Sequence, residues 1–141
     1  MADNFQAQSS AQGAEWEQTV ANLVKNEGWT IIETNTRRHG IEIDLICHDS
    51  NGTEIWVEAK GSHRGKIPGM KRHDTVRKAL FSGYHLKAVY ESLDTQRPYY
   101  VIITSHVPET GNHAGWIDAA LQFGAIDAIW TAKDIPAKVN Q

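Results

Sequence analysis

The chain reads as an α/β domain built on one mixed β-sheet, and three observations predict this. Helical and β-prone segments follow one another in the order α-β-β-β-α-β-α-β. Two of the β-prone runs flank an Asn-Gly pair, a strong hairpin signal. A later run, Pro98-Tyr99-Tyr100-Val101-Ile102-Ile103-Thr104, has the length and apolar character of a buried strand.

The elements follow in order. Residues 1–10 read as a flexible polar tail, 11–136 as a single domain and 137–141 as a short C-terminal tail. From about Ala11 to Glu27, Ala14, Trp16, Val20, Leu23 and Val24 recur at three- and four-residue spacing. This predicts an amphipathic helix, capped by Ser9 or Ser10 and stopped near Gly28. Trp29 to Thr34 is a short β-prone run. Ile41 to Cys47 and Thr53 to Lys60 are the two hairpin strands. Gly61 to Met70 reads as a loop, and Asp74 is placed to cap a helix carrying Val76, Ala79, Leu80 and Tyr84. Trp116 to Phe123 predicts a third helix and Ala125 to Trp130 a last strand.

Parity sets the hairpin register. Alternation puts Ile41, Ile43, Leu45 and Cys47 on one face, with Glu42, Asp44, Ile46 and His48 on the other. On the second strand Ile55, Val57 and Ala59 oppose Trp56, Glu58 and Lys60. The apolar faces coincide only if odd positions pair with odd ones. A three-residue loop, Ser50-Asn51-Gly52 with a left-handed Gly52, delivers that register. It pairs Cys47 with Ile55, Leu45 with Val57 and Asp44 with Glu58. Two carboxylates and the Lys60 amine then share one face.

The 141 residues suffice for one domain, and 40% hydrophobic with 22% charged residues excludes disordered or low-complexity character. A single cysteine, Cys47, forbids an internal disulfide. The N-terminus lacks the order of a signal peptide, and no apolar run approaches the roughly 18 residues of a membrane span. A soluble, intracellular (cytoplasmic) protein is expected. The seven histidines show no zinc-ligand spacing, and no phosphate loop, nucleophile elbow or dinucleotide fingerprint occurs. Core packing is the default for Trp16, Trp29, Trp116 and Trp130, whereas Trp56 shares the Glu58 face.

The formal charge of −3 conceals an asymmetry. Lys60 to Lys87 contains eight Lys or Arg and a single acid, Asp74, a net of +7, against −10 elsewhere. One basic face on an acidic body fits a phosphate-bearing partner. Arg64, Lys66, Lys71, Arg72, Arg77 and Lys78 are its candidate nucleic-acid contacts.

Asp44, Glu58 and Lys60 lie on strands otherwise built from Ile, Leu, Val and Trp. Burying such charges costs several kcal/mol unless they are paired or metal-bound. A hard divalent cation, Mg²⁺ or Mn²⁺, relieves the repulsion between two oxygen ligands. The Lys60 amine is then placed to orient or help deprotonate a water beside a phosphate, or to stabilise charge developing there. A solvated, charged hairpin face is the alternative this pattern leaves open.

Ile43-Asp44, thirteen intervening residues, then Glu58-Ala59-Lys60 resembles the PD-(D/E)xK motif of the restriction-endonuclease-like superfamily. Glu17 in the first helix, Gly28-Trp29, Asn35-Thr36-Arg37, Glu42-Ile43-Asp44-Leu45-Ile46 and Val57-Glu58-Ala59-Lys60 further resemble small Holliday-junction-resolvase-like members. The likeness covers about residues 13–61. Ile43 stands at the proline position, and Ile41 where glycine usually precedes Glu-Ile-Asp. The resemblance implies a restriction-endonuclease-like core. It also implies metal ligation by Asp44, Glu58 and the Ala59 carbonyl, with Glu17 reaching the metal directly or through water. Lys60 would position the attacking water. The implied activity is Mg²⁺-dependent DNA endonuclease action, by a homodimer where both strands are cut. A restriction- or repair-type nuclease on linear or flapped DNA, and a non-cutting nucleic-acid-binding module, are the alternatives.

Overall fold

The structure, a computed structural model, describes the backbone of residues 2–61, 73–107 and 111–139, and side chains over 13–61, 75–107 and 111–139. Its elements are α1 (Ala2–Asn26), β1 (Thr30–Arg38), β2 (Ile41–His48), β3 (Glu54–Lys60), α2 (His73–Ser92), β4 (Tyr99–Thr104), α3 (Gly111–Phe123) and β5 (Ala128–Trp130). The expected order is the observed one. The five strands form one sheet in the order β1-β2-β3-β4-β5. β1, β2 and β3 are antiparallel neighbours, whereas β3–β4 and β4–β5 are parallel, so the sheet is mixed.

Both sheet faces are covered. Trp16, Val20 and Val24 recur every fourth residue along α1 and bury against Leu45, Cys47, Ile55, Val57, Ala59, Val101 and Ile103. On the opposite face, Val76, Ala79, Leu80 and Leu86 of α2 join Ile117 and Ala120 of α3 over Ile46, Trp56, Tyr100 and Ile102. The apolar runs of β3 and β4 are explained by this double burial. Gly83 lets α2 approach closely, since a Cβ there would meet the Ala125 carbonyl at 2.5 Å. Among the described residues, no helix is long and apolar enough to cross a membrane.

Helix ends follow local chemistry. Gly28, at φ 90°, donates its N–H to Lys25, and Trp29 donates to Val24, while Trp29 and Val24 also pack together in the core. This is a left-handed glycine stop with its hydrophobic contact. The beginning of α1 differs from expectation: the helix starts at Ala2, so residues 2–10 are helical and Ser9 and Ser10 lie inside it. Ala and Gln there favour helix without an apolar stripe, which periodicity alone does not register. α2 starts at His73, which puts Asp74 in the first turn rather than at the cap, and α3 starts at Gly111 rather than near Trp116.

The strand bounds shift as well. β1 continues to Arg38 as a polar edge strand with a register shift between Ile31 and Glu33. β5 begins only at Ala128, because Gly124 and Ala125 close the end of α3 by donating to Leu121 and Ala120. The hairpin has the expected register, Leu45 with Val57 and Cys47 with Ile55. Gly52 is left-handed at φ 83°, and Asp49 N–H donates to Thr53 across the three-residue loop. One face assignment needs correction. Leu45 and Cys47 pack under α1, but Ile41 and Ile43 join the core under α2 and α3. The paired β2–β3 register ends at Leu45, and the start of β2 pairs with β1. A two-stranded ribbon twists more than a sheet interior, which turns these side chains to the other side.

Candidate active site

The site forms where β2 and β3 part. Beyond the Leu45–Val57 pair, the Asp44 carboxylate itself accepts the Ala59 N–H at 2.8 Å. The register expected Asp44 opposite Glu58; the structure instead puts the Asp44 side chain against the backbone of the next residue. Asp44 and Glu58 are 9% and 4% exposed, an unusual depth for two carboxylates. Lys60 Nζ lies 3.4 Å from Glu58 Oε2 with about a third of its side chain open to solvent. Glu17 follows Trp16 on α1. The tryptophan is anchored in the core, its Nε1 donating to the Ile103 carbonyl, so Glu17 is held half-buried at the helix edge facing Asp44.

The electrostatics are strained towards neutrality. Burial, and then the Asp44 charge, push Glu58 up to about 8, with Lys60 opposing. Asp44 is also raised, by burial first, although the Ala59 N–H and Lys60 counteract it. Burial and the charges of Asp44 and Glu42 raise Glu17. Glu17 and Asp44 thus face one another as like charges, which works against ionising both. Burial works to lower Lys60, but Glu58 and Asp44 outweigh it and hold the ammonium protonated.

The donor chemistry fits a small hard cation. Asp44 and Glu58 are both buried and both raised, by burial first, and oxygen ligands in that setting suit a hard cation that offsets their charge. Among the described residues, no three His, Cys, Asp or Glu side chains close around one point. Mg²⁺ is commonly held by one or two carboxylates and completes its shell with water and substrate phosphate. Glu17 therefore adjoins the pair through Asp44 rather than completing a three-carboxylate cage.

Other candidates are placed as follows. Arg77 and Lys78 are exposed on the first turns of α2, and the Arg77 guanidinium lies 5.5 Å over the Trp116 ring. Arg64, Lys66, Lys71 and Arg72 lie outside the described residues. Trp56 packs in the core, edge-on to Tyr90, with its Nε1 donating to Glu54. Cys47 is fully buried, as its face predicted, and burial pushes its thiol up to about 12.

Two residues went unnoticed in the sequence. Glu42, exposed and two positions before Asp44, adds a fourth negative charge that raises Glu17, Asp44 and Glu58. Its signal was its parity with Asp44. Asp49 is buried and accepts the N–H groups of Asn51, Thr53 and Val139. An Asp two residues before Asn-Gly is a turn signal that could have shown the first of these bonds.

Comparison with known proteins finds likenesses in sequence and in fold. Residues 16–80, which include all four candidate catalytic residues, match the description "Uncharacterised protein family UPF0102". A UPF0102 protein of Corynebacterium efficiens, CE1920, is 41% identical over 66 residues, covering 47% of this chain and 53% of its own. A UPF0102 protein of Dechloromonas aromatica is 36% identical over 61 residues, 43% of this chain and 50% of its own. The match thus spans about half the length of each relative. Among solved structures, a chain from the EndoMS–dsDNA2 complex superposes with a TM-score of 0.51 at 11% identity, over 93% of this chain and 46% of that one. The protein is therefore similar to UPF0102 proteins through the part that carries the site, and its fold is restriction-endonuclease-like.

Proposed function

We propose that the protein is a metal-dependent DNA endonuclease whose site is Asp44, Glu58 and Lys60, with Glu17 in support. The observation that carries this is the burial of Asp44 and Glu58 beside one another with Lys60 at their edge. A fold gains nothing in stability from such a pair, whereas a cation site requires it.

Asp44, Glu58 and the Ala59 carbonyl would hold Mg²⁺, with Mn²⁺ as substitute. A bound divalent ion would supply Lewis-acid stabilisation of charge on the scissile phosphate. The Ala59 N–H locks the Asp44 rotamer, so the carboxylate is preorganised and needs no rearrangement on binding. Glu58 sits under the Lys60 ammonium, which keeps that cation at the mouth of the site. Being protonated, Lys60 acts as a hydrogen-bond donor to water and phosphate oxygen rather than as a base. Glu17 would bind water at the outer side of the pair. The exposed Arg77 and Lys78, and the cations at 64, 66, 71 and 72, would grip flanking phosphates.

Following the resemblance, branched DNA is the first substrate to try, and two-strand cutting would call for a homodimer. Four-way junction, flap, single-stranded and linear duplex DNA are incubated with Mg²⁺, Mn²⁺ or EDTA. Cleavage with metal and none with EDTA is expected, and Lys60→Ala should abolish it while DNA binding persists. Absence of metal-dependent cleavage on every substrate overturns the proposal. Unchanged cutting by Lys60→Ala overturns the site assignment.

A further inference from the structure

The outer surface of α2 carries two large aromatic groups that the core does not use, and the end of α3 adds a third. Phe81 is 64% exposed and Tyr84 39%, while Phe123 at the end of α3 is 58% exposed beside them. The Tyr84 and Phe123 rings lie 5.5 Å apart, and the Phe81 and His85 rings are stacked at 5.9 Å, only 15° from parallel. Single exposed apolar residues need no explanation, but a cluster in ring contact does.

Cations border the cluster. Arg77 and Lys78 are exposed one turn before Phe81, and Lys87 lies 4.9 Å over the Phe123 ring. Glu91 is the sole acid among the described side chains of α2, and Lys87 already engages it at 2.9 Å.

Topology relates this face to the site. β3, α2 and β4 form a parallel crossover, so α2 runs antiparallel to both strands. Lys87 and Tyr90 of α2 line a cleft with Thr53, Glu54 and Tyr99, which confirms that the helix ends near the starts of β3 and β4. Its beginning, with Arg77 and Lys78, therefore lies at the sheet end that bears Glu58 and Lys60. The aromatic stripe leads away from the site along the outside of the helix. From Arg77 to His85 the cations and rings of this face span about 12 Å along the helix, the length of three or four nucleotides at about 3.4 Å each.

We propose that the exposed face of α2 is a stacking platform for unpaired bases, with Phe81 and Tyr84 as the base-stacking rings and Arg77 and Lys78 contacting the phosphates. Aromatic rings interleaved with cations are the means by which proteins hold single strands irrespective of sequence. The charge favours this occupant over a second copy of the chain. A two-fold contact through the patch would set Arg77 and Lys78 of both copies against one another, and the sole acid among the described side chains of the helix, Glu91, is already engaged by Lys87. The inference rests on the nuclease reading and deepens it: among branched DNAs, the preferred substrate carries an unpaired arm next to the cut.

The test uses the whole chain in EDTA, so that cutting plays no part. Fluorescence anisotropy measures binding of labelled oligo(dT), of a blunt duplex and of a splayed-arm duplex. Phe81→Ala and Tyr84→Ala should each weaken oligo(dT) and splayed-arm binding about tenfold, and blunt duplex binding less than twofold. Phe81→Trp should restore the single-strand affinity. Wild-type protein that fails to bind oligo(dT), or Ala variants that bind it like wild type, overturns the proposal, as does equal loss on single-stranded and duplex DNA. Light scattering on the same proteins supplies the other arm. A wild-type dimer that dissociates in Phe81→Ala assigns the patch to self-association and likewise overturns it. Failure of the nuclease reading is separate: it appears as absent cleavage with Mg²⁺, whatever the single-strand binding.

Discussion

Asp44 and Asp49 lie five residues apart, one within β2 and one just beyond its end, and both are almost wholly buried. Their surroundings are opposite. Asp49 accepts three backbone N–H bonds, from Asn51, Thr53 and Val139. Burial works to raise its carboxyl, but those bonds and Lys138 together hold it below the ordinary value. Asp44 accepts one backbone N–H, faces the carboxyl groups of Glu17 and Glu58, and is raised. One aspartate completes a turn and ties residue 139 to the hairpin; the other is left short of positive charge. Equal burial therefore says little about role. The count of backbone donors separates the two, three for Asp49 and one for Asp44.

The sharpest way to break this contrast is to remove each charge and read activity and stability separately. Asp44→Asn should reduce cleavage by roughly 10³-fold or more without lowering the thermal midpoint of the metal-free protein. Cleavage assays and calorimetric melts on the same preparation check both halves. Asp49→Ala should do the reverse. Stranding its donors should cost about 2–3 kcal/mol, a fall of roughly 5–10 °C in a domain of this size, with the cleavage rate per folded molecule retained.

Acid titration extends the comparison. The folded pKa of Asp49 is depressed, so its contribution is full above the unfolded value of about 3.9 and disappears as pH falls through the folded value. Wild-type stability should thus drop below about pH 4 more steeply than that of Asp49→Ala, measured by denaturant melts across pH. Glu58 has the opposite sign. Its raised pKa means that ionising it above the unfolded value works against folding, increasingly up to about pH 8. In EDTA at pH 8, Glu58→Gln should be more stable than wild type by on the order of 1–3 kcal/mol, yet inactive. The smallest effect is expected at Glu17, which touches the pair from its outer side. Glu17→Gln keeps the size of the side chain, removes its charge and should slow cleavage about tenfold with little change in melting.

Much of this was legible in the chain because hydrophobic pattern and turn chemistry agree. Odd-with-odd pairing about Ser50-Asn51-Gly52 put Leu45 opposite Val57, and with it Asp44, Glu58 and Lys60 in one region. Parity could not show that the Asp44 side chain, and not its backbone, would bond to Ala59, because pairing rules assume a continuous ladder. Nor could it show Ile41 and Ile43 turning to the other core, which depends on twist where a strand has lost one neighbour. The helical residues 2–10 were missed since a segment with Phe5 as its one large apolar residue has no periodic signature. Asp49 was missed for a different reason: the N–H of Val139 arrives from ninety residues away. The aromatic face of α2 passed as ordinary amphipathic pattern, Tyr84 being assigned inward, until the close contact at Gly83 showed which side of the helix meets the core.

The central claim is that Asp44 and Glu58 form a divalent-cation site and Asp49 does not. Isothermal titration of Mn²⁺ into wild type, Asp44→Asn and Asp49→Asn, with folding verified by circular dichroism, tests it directly. Saturable binding by wild type and Asp49→Asn, lost in Asp44→Asn, is the predicted result. Mn²⁺ binding by Asp44→Asn with wild-type affinity would contradict it.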